Sequence, residues 1–263
     1  MDILKQFQLD GKVAIVTGAG KGIGAGIAMA YAQAGADIVV AARTRADIEK
    51  IAAQVRELGR RAIAVTTDVM QEKQLQRLMA ATMDEFGRVD VLVNNAGGSP
   101  PKPALKTSTQ EFEMAFRFNV ATAFAMSRIA APKMVESAGG GAIVNISSVA
   151  GHAPSACFAA YGTAKAALSF LTRELAQEFA PKVRVNAIAV GSTRTDALEA
   201  ILTPQLEQAM VEMTPMGRLG SVADVAACAL YLAAPASAYV SGDIVAVNGG
   251  LNTLNLSMPR AFS

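Results

Sequence analysis

"VAIVTGAGKGIG", residues 13–24, sets a short apolar, β-branched run directly before a turn containing Gly18, Gly22 and Gly24. A run so uniformly apolar reads as a strand buried on both faces. The glycines let the backbone turn tightly and bring the amino end of a following helix against a pyrophosphate. There, unpaired N–H groups and the helix dipole stabilise negative charge. A glycine triplet alone marks only a tight turn. A strand before it and a helix after it make it a dinucleotide-binding signature.

Six more short runs of the same kind follow, at 37–42, 62–68, 89–97, 141–147, 183–190 and 244–250. Between them lie stretches of helical character with charged faces, at 25–34, 45–58, 72–86, 109–136, 161–179 and 222–232. Strand and helix alternating at this spacing predict an α/β fold with right-handed crossovers. The architecture expected is a single-domain Rossmann type, a doubly wound seven-stranded parallel sheet with helices on both faces. No linker, repeat or low-complexity segment divides residues 1–263. The one interruption is 191–220, a helical insert rich in Met and Leu after the sixth strand. Ligands of such sheets bind beyond the carboxyl ends of the strands, so this insert is expected to be a substrate lid. Met210, Met213 and Met216 suit an adaptable apolar lid, or equally ordinary packing.

Composition narrows the function classes. The chain has 263 residues, 52% of them hydrophobic, and a net charge of +2 from 24 basic and 22 acidic residues. No basic stripe marks a nucleic-acid partner. The two cysteines, Cys157 and Cys228, form no ligand or redox pattern, and with one histidine no metal site is expected. The first residues carry Asp2, Lys5 and Asp10 ahead of any apolar run and lack a cleavage site, unlike a signal peptide. The apolar stretch 222–240 is interrupted by Asp224 and Pro235 and falls short of a membrane span. These features fit a soluble, cytoplasmic protein acting on a small molecule, without a membrane partner.

The end of the second strand bears on the cofactor. A dinucleotide lacking a 2′-phosphate is usually held by a carboxylate there, but this chain reads "VVAARTR", with Ala42 followed by Arg43. Lys21 in the glycine loop points toward the same region, and a Lys with an Arg makes a phosphate clamp. The expectation is NADP(H) favoured over NAD(H), with solvated surface cations as the alternative.

A second constellation is "YGTAK", residues 161–165. On a helix, Tyr161 and Lys165 lie one turn apart on one face, so either an ammonium is set to tune a phenol or the two form an ordinary half-exposed surface pair.

In order and spacing, "TGAGKGIG" (17–24), "NNAG" (94–97), Asn119 in "FNV", Ser148 in "NISS" and "YGTAK" resemble the short-chain dehydrogenase/reductase family, over almost the whole chain. More narrowly, "NNAGGSPPKP" and "STRTDALEAILTPQLEQAM" are similar to bacterial 7α-hydroxysteroid dehydrogenases. The resemblance implies a catalytic tetrad of Asn119, Ser148, Tyr161 and Lys165. Asn119 would bend its helix and hold a water, with a purely structural role as the alternative. It further implies cofactor contacts from Gly18, Lys21, Gly22, Ile23, Gly24, Arg43, Thr44, Asp68, Val69, Asn95, Ala96, Gly97, Tyr161, Lys165, Gly191, Thr193 and Thr195. Among these, Asp68 would hold the adenine amine, Asn95 would lie by the adenosine ribose, and Thr195 would hold the carboxamide. Where the family has Pro-Gly, this chain has Val190-Gly191, which predicts a less rigid turn.

The chemistry follows from the residue types. A carbonyl receiving hydride develops alkoxide charge, so it needs a proton donor, Tyr161, and a second hydrogen bond, from Ser148. A free tyrosine has a pKa of about 10. Lys165 and the positive nicotinamide are expected to lower it. Ser148 stands thirteen residues before Tyr161, the family spacing, so Ser147 should face away. His152 reads as solvent-facing, or as a residue at the substrate mouth. Ser99 and Ala153 offer little polar grip on a substrate.

The expected activity is hydride transfer between NADP(H) and an apolar, alicyclic ketone or secondary alcohol of hydroxysteroid character. Two alternatives stand: a 3-ketoacyl thioester reductase, with Arg128 and Lys133 as its candidate basic patch, and an NADP(H)-binding sensor or scaffold without turnover. The resemblance also implies a homotetramer, packed through helices at 109–136 and 161–179 whose small residues are Ala121, Ala123, Ala125, Ala164 and Ala166. The terminal stretch 251–263 is a candidate subunit contact.

Overall fold

In the computed structural model, which describes residues 2–256, Met258 and Arg260, seven parallel strands form one sheet. The strands are β1 (Val13–Thr17), β2 (Asp37–Ala42), β3 (Ala62–Thr66), β4 (Val91–Asn94), β5 (Gly141–Ser148), β6 (Val183–Val190) and β7 (Ile244–Val247). Their order is β3-β2-β1-β4-β5-β6-β7, so the winding reverses between β1 and β4. Alternate strand residues feed opposite faces: Ala14, Val16, Ile38 and Val40 join one core cluster, Val13, Ile15, Val39 and Ala41 the other.

On the first face lie α1 (Gly22–Gln33), α2 (Arg45–Glu57) and α9 (Val222–Ala233), through Ile27, Ile48 and Val225. On the second lie α3 (Glu72–Phe86), α5 (Thr122–Ala138) and α6 (Ala159–Phe179), through Leu75, Met126 and Leu175. The short α4 (Thr109–Phe116) precedes α5. It opens on a capping box of Ser108 with Glu111. The insert contains α7 (Asp196–Glu199) and α8 (Pro204–Glu212).

Two expectations are revised. The helix expected over 109–136 is not continuous: α4 and α5 are joined by a π turn, Arg117–Ala121, that holds Asn119. A hydrophobic stripe runs through all three pieces, so apolar spacing does not reveal the extra residue per turn. The fourth strand stops at Asn94, because 95–97 peel away toward the glycine loop. Among the described residues no helix is long and apolar enough to cross a membrane. Of the terminal stretch, residues 257, 259 and 261–263 lie outside the described residues, as does residue 1. The part before them folds back, with Leu251 packed on Val149 and Ala153.

Candidate active site

The carboxyl ends of β1, β4, β5 and β6 converge on a groove of about 440 Å³ lined by Gly22, Asn95, Ser148, Tyr161, Lys165 and Thr195, among others. At one wall, the glycine loop is braced from β4. The Asn95 side chain donates to the carbonyls of Thr17 (2.9 Å) and Gly18 (3.1 Å). The Thr17 hydroxyl donates to the Val93 carbonyl (3.1 Å) and accepts from the N–H groups of Asn95 and Ala96. A Cβ at Gly18 would stand 2.8 Å from the Asn95 amide nitrogen, which fixes glycine there, at φ +63°. Thr17 escaped the sequence reading: as a buried threonine ending a strand it looks like any other, and its partners lie more than 70 residues away. Asn95, expected beside a ribose, is foremost this brace.

The first turn of α1 has no side-chain cap and no acidic residue, so its N–H groups face the groove without an internal partner. That electrostatic setting suits a pyrophosphate. Across the groove, Thr195 caps α7 and its methyl lies 3.4 Å from where a Gly22 Cβ would be. Thr193 bridges Gly220 behind it. The Val190-Gly191 turn, where the family has proline, is tied to the neighbouring strand. Gly191 N–H donates to the Val247 carbonyl (2.9 Å), and a Cβ would meet Asn248 Cα at 2.7 Å. The residues expected around adenosine line an adjoining hollow of about 290 Å³, including Lys21, Arg43, Thr44, Asp68, Val69 and Ala96. Arg43 there is exposed, while Lys21 stands 3.5 Å from Asp47. Asp68 caps its own turn through Met70 N–H (3.0 Å).

The tetrad is brought together at the other wall. Ser148 ends β5, accepts from Ala150 N–H (3.1 Å), and its hydroxyl is hydrogen-bonded to that of Tyr161. Ser147 faces away as expected, bonding the Lys165 carbonyl (3.1 Å) and Ser169 (2.9 Å) inside the protein. Lys165 is buried, its Nζ donating to the Ile146 carbonyl (2.8 Å), 5.6 Å from the centre of the Tyr161 ring. Asn119, in the π turn, clamps Gly98: its Oδ1 accepts from Gly98 N–H (2.8 Å) and its Nδ2 donates to the Gly98 (3.1 Å) and Ala115 (2.8 Å) carbonyls. Gly97 runs between them, where a Cβ would stand 2.7 Å from Asn119 Oδ1 and 3.3 Å from Lys165 Nζ.

The electrostatics of the pair are set by burial. Burial pushes the Tyr161 phenol above its ordinary value, and the Ser148 hydrogen bond only partly offsets it. The chain's own groups therefore hold Tyr161 protonated, as a proton donor; the anticipated lowering counts the positive nicotinamide along with Lys165. Burial pushes the Lys165 ammonium down to about 8.

The substrate mouth is less as expected. Ala153 is buried against Leu251 rather than lining the mouth, and Met210 is packed at 2% exposure while Met213 and Met216 are exposed. His152 is exposed, yet its Nε2 stands 3.4 Å from the Ser169 hydroxyl.

Comparison with known proteins agrees with this geometry. The family model described as enoyl-(acyl carrier protein) reductase matches residues 18–252. The chain belongs to the short-chain dehydrogenase/reductase family. It is 47% identical over 258 residues to an uncharacterized oxidoreductase of Mycobacterium tuberculosis, covering 98% of each chain. It is 42% identical over 244 residues to 7α-hydroxysteroid dehydrogenase of Escherichia coli, covering 92% of this chain and 95% of that one. The solved structure of a 7α-hydroxysteroid dehydrogenase complexed with NADH and 7-oxo glycochenodeoxycholic acid superposes with a TM-score of 0.91 at 41% identity, over 95% of this chain and 98% of that one. The chain is thus an oxidoreductase of the alcohol–ketone type, built to bind a nicotinamide cofactor.

Proposed function

We propose that the protein interconverts a ring ketone and its secondary alcohol with NADP(H), on an apolar, alicyclic substrate of hydroxysteroid character. The observation that carries this reading is the Ser148–Tyr161 hydroxyl pair with Lys165 buried behind it, facing the groove that begins at the glycine loop. A nicotinamide held between Gly22, Lys165 and Thr195 would supply or accept the hydride. Tyr161, protonated at neutral pH, delivers the proton to the developing alkoxide, and Ser148 holds that oxygen with a second hydrogen bond. The phenolate left behind faces the Lys165 ammonium across a low-dielectric gap. Asn119 fixes Gly98, and so the loop that forms the floor beside Lys165.

The cofactor preference rests on Arg43, exposed beyond the end of β2 where a ribose-binding carboxylate would otherwise stand. Lys21 contributes once its exposed pairing to Asp47 exchanges for a phosphate, and such pairs hold little energy. The NADH in the hydroxysteroid dehydrogenase complex belongs to that relative, and it makes Arg43 the residue whose replacement decides the matter here.

A carrier-bound thioester is the weaker reading, because its candidate patch is only two exposed cations, each beside a surface carboxylate that cancels its charge: Arg128 by Glu72 (2.5 Å) and Lys133 by Glu136 (2.7 Å). A homotetramer and a cytoplasmic setting belong to the proposal too. Ala123 and Ala164 are used inside the chain, packing α5 on α6. Apolar side chains open to a second copy on α4, α5 and α6 are the exposed Phe112, Phe116, Phe124 and Phe170.

The test is NADPH and NADH oxidation against oxo-steroids, simpler cyclic ketones and a 3-ketoacyl thioester, with Tyr161→Phe alongside. The reading requires turnover of a ring ketone with NADPH that falls by about 10³-fold or more in the variant, the scale of a lost general acid. Tight NADPH binding without turnover of any ketone would replace it with the binding-only reading.

A further inference from the structure

The insert between β6 and α9 is fastened from an unexpected direction. Asn255, in the stretch after β7, is 2% exposed and meets three groups. Its Nδ2 donates to the Met210 carbonyl (3.1 Å) and the Thr214 hydroxyl oxygen (2.9 Å), and its Oδ1 accepts from the Ser192 hydroxyl (2.5 Å). Thr214 in turn donates to the Met210 carbonyl (2.7 Å). Ser192 is where the insert begins and Met210 and Thr214 are where α8 ends, so one amide ties the two together. The backbone closes the same ring: Gly220 N–H donates to the Ser192 carbonyl (2.9 Å) and Arg194 N–H to the Gly220 carbonyl (2.8 Å).

What lies between is held differently. Ile201 is 59% exposed, and α7 is joined to α8 mainly through Arg194, which pairs with Glu199 and Glu207 at exposed positions. Exposed pairs of this kind add little. The base of the insert is therefore fixed and its crest is not. The same terminal stretch packs Leu251 on Val149 and Ala153, just past Ser148. Residues 251–255 thus brace both sides of the opening above Tyr161.

We propose that Asn255 is a positioning residue for catalysis: it pins the base of the insert so that only α7 and the turn after it move as substrate enters. The inference rests on the reading of the Tyr161 groove as the active site. It assigns the terminal stretch a role within its own subunit that neither its sequence nor its composition suggested.

The experiment compares wild type with Asn255→Ala and the milder Ser192→Ala, by backbone hydrogen exchange and by steady-state kinetics with NADPH and whichever ring ketone is turned over. With the pin released, exchange in 192–214 rises several-fold while β6 stays protected, as expected for local rather than global opening. The ketone KM rises about tenfold and kcat stays within about threefold, the signature of a lid that positions rather than reacts. Ser192→Ala shows the same pattern at smaller size, which covers the case in which Asn255→Ala does not fold. Unchanged exchange in 192–214 overturns the proposal. So does exchange that rises equally in β6, and so does local loosening with an unchanged KM. If no ring ketone is turned over, the proposed activity falls, and exchange alone decides whether Asn255 is the pin.

Discussion

The two edges of the sheet each bury a charge, and they treat it in opposite ways. At the amino edge Asp90 is 4% exposed and fully engaged: Arg88 donates twice (2.7 and 2.8 Å), Lys12 once (3.1 Å) and Val13 N–H once (3.0 Å). Burial pushes its carboxyl up, but these bonds outweigh burial and leave it below the ordinary value. At the carboxyl edge Lys165 is equally buried and has a single carbonyl acceptor, with no carboxylate paired to it among the described residues. Nothing outweighs burial there, and its ammonium sits at about 8. A buried charge with every bond made is a structural tie, while one with bonds to spare is available to something else. The first edge holds the strands together. The second waits on a reacting oxygen and its phenol.

That contrast can be broken at either end. Asp90→Ala leaves Arg88 and Lys12, both part-exposed, free to turn to water but strips the buried Val13 N–H of its acceptor, and we expect it to cost on the order of 2 kcal/mol, the scale of an unsatisfied buried donor. Denaturant unfolding measures this, and the folded fraction should retain full turnover. Loss of kcat without loss of stability would erase the distinction between the edges. Because the folded carboxyl lies below its unfolded value, this stabilisation is present above the unfolded pKa and is lost as the pH falls through the folded one. A smaller effect sharpens the cofactor side of the carboxyl edge. Arg43→Asp should lower the ratio of kcat/KM for NADPH over NADH by roughly tenfold, the size of one lost charge-assisted phosphate contact. An unchanged ratio would make Arg43 an ordinary surface cation.

The same contrast explains what could be read from the sequence. The strands 37–42 and 183–190 and the helix 72–86 appear at their expected bounds, because burial on both faces leaves uniformly apolar runs and because Gly87, at φ +69°, ends its helix visibly. Ser148, Tyr161 and Lys165 were legible through the family resemblance, whose fixed offsets survive in the linear chain; an isolated i, i+4 pair would not have marked them. Thr17, Asn255 and the buried ladder in which Asn94 donates to Asn145 (2.9 Å) and Asn145 to Thr172 (2.9 Å) were not legible. Each depends on a partner far away in sequence, and a lone polar residue in an apolar run looks the same whether it braces a loop or faces water. The π turn at Asn119 was hidden from apolar spacing for a related reason, since one added residue does not erase a hydrophobic stripe; only the family resemblance put a bend there. The direction of the Tyr161 shift also needed the fold, since proximity to Lys165 was visible in the sequence and the depth of burial was not.

The most direct test is Lys165→Met, which keeps the apolar stem and removes the charge, followed by thermal unfolding from pH 7 to 10.5 and by single-turnover ketone reduction. The folded lysine lies at about 8 against an ordinary 10.5, so its charge costs stability in full below pH 8, and that cost fades as the pH rises toward 10.5. The account predicts a variant that is more stable than wild type at pH 7, by on the order of 3 kcal/mol at most, with the gain shrinking at high pH. The same variant should bind NADPH and reduce ketone at least about 10²-fold more slowly. A variant less stable at pH 7, or one that turns over at the wild-type rate, would contradict the claim that this charge is buried for chemistry rather than for the fold.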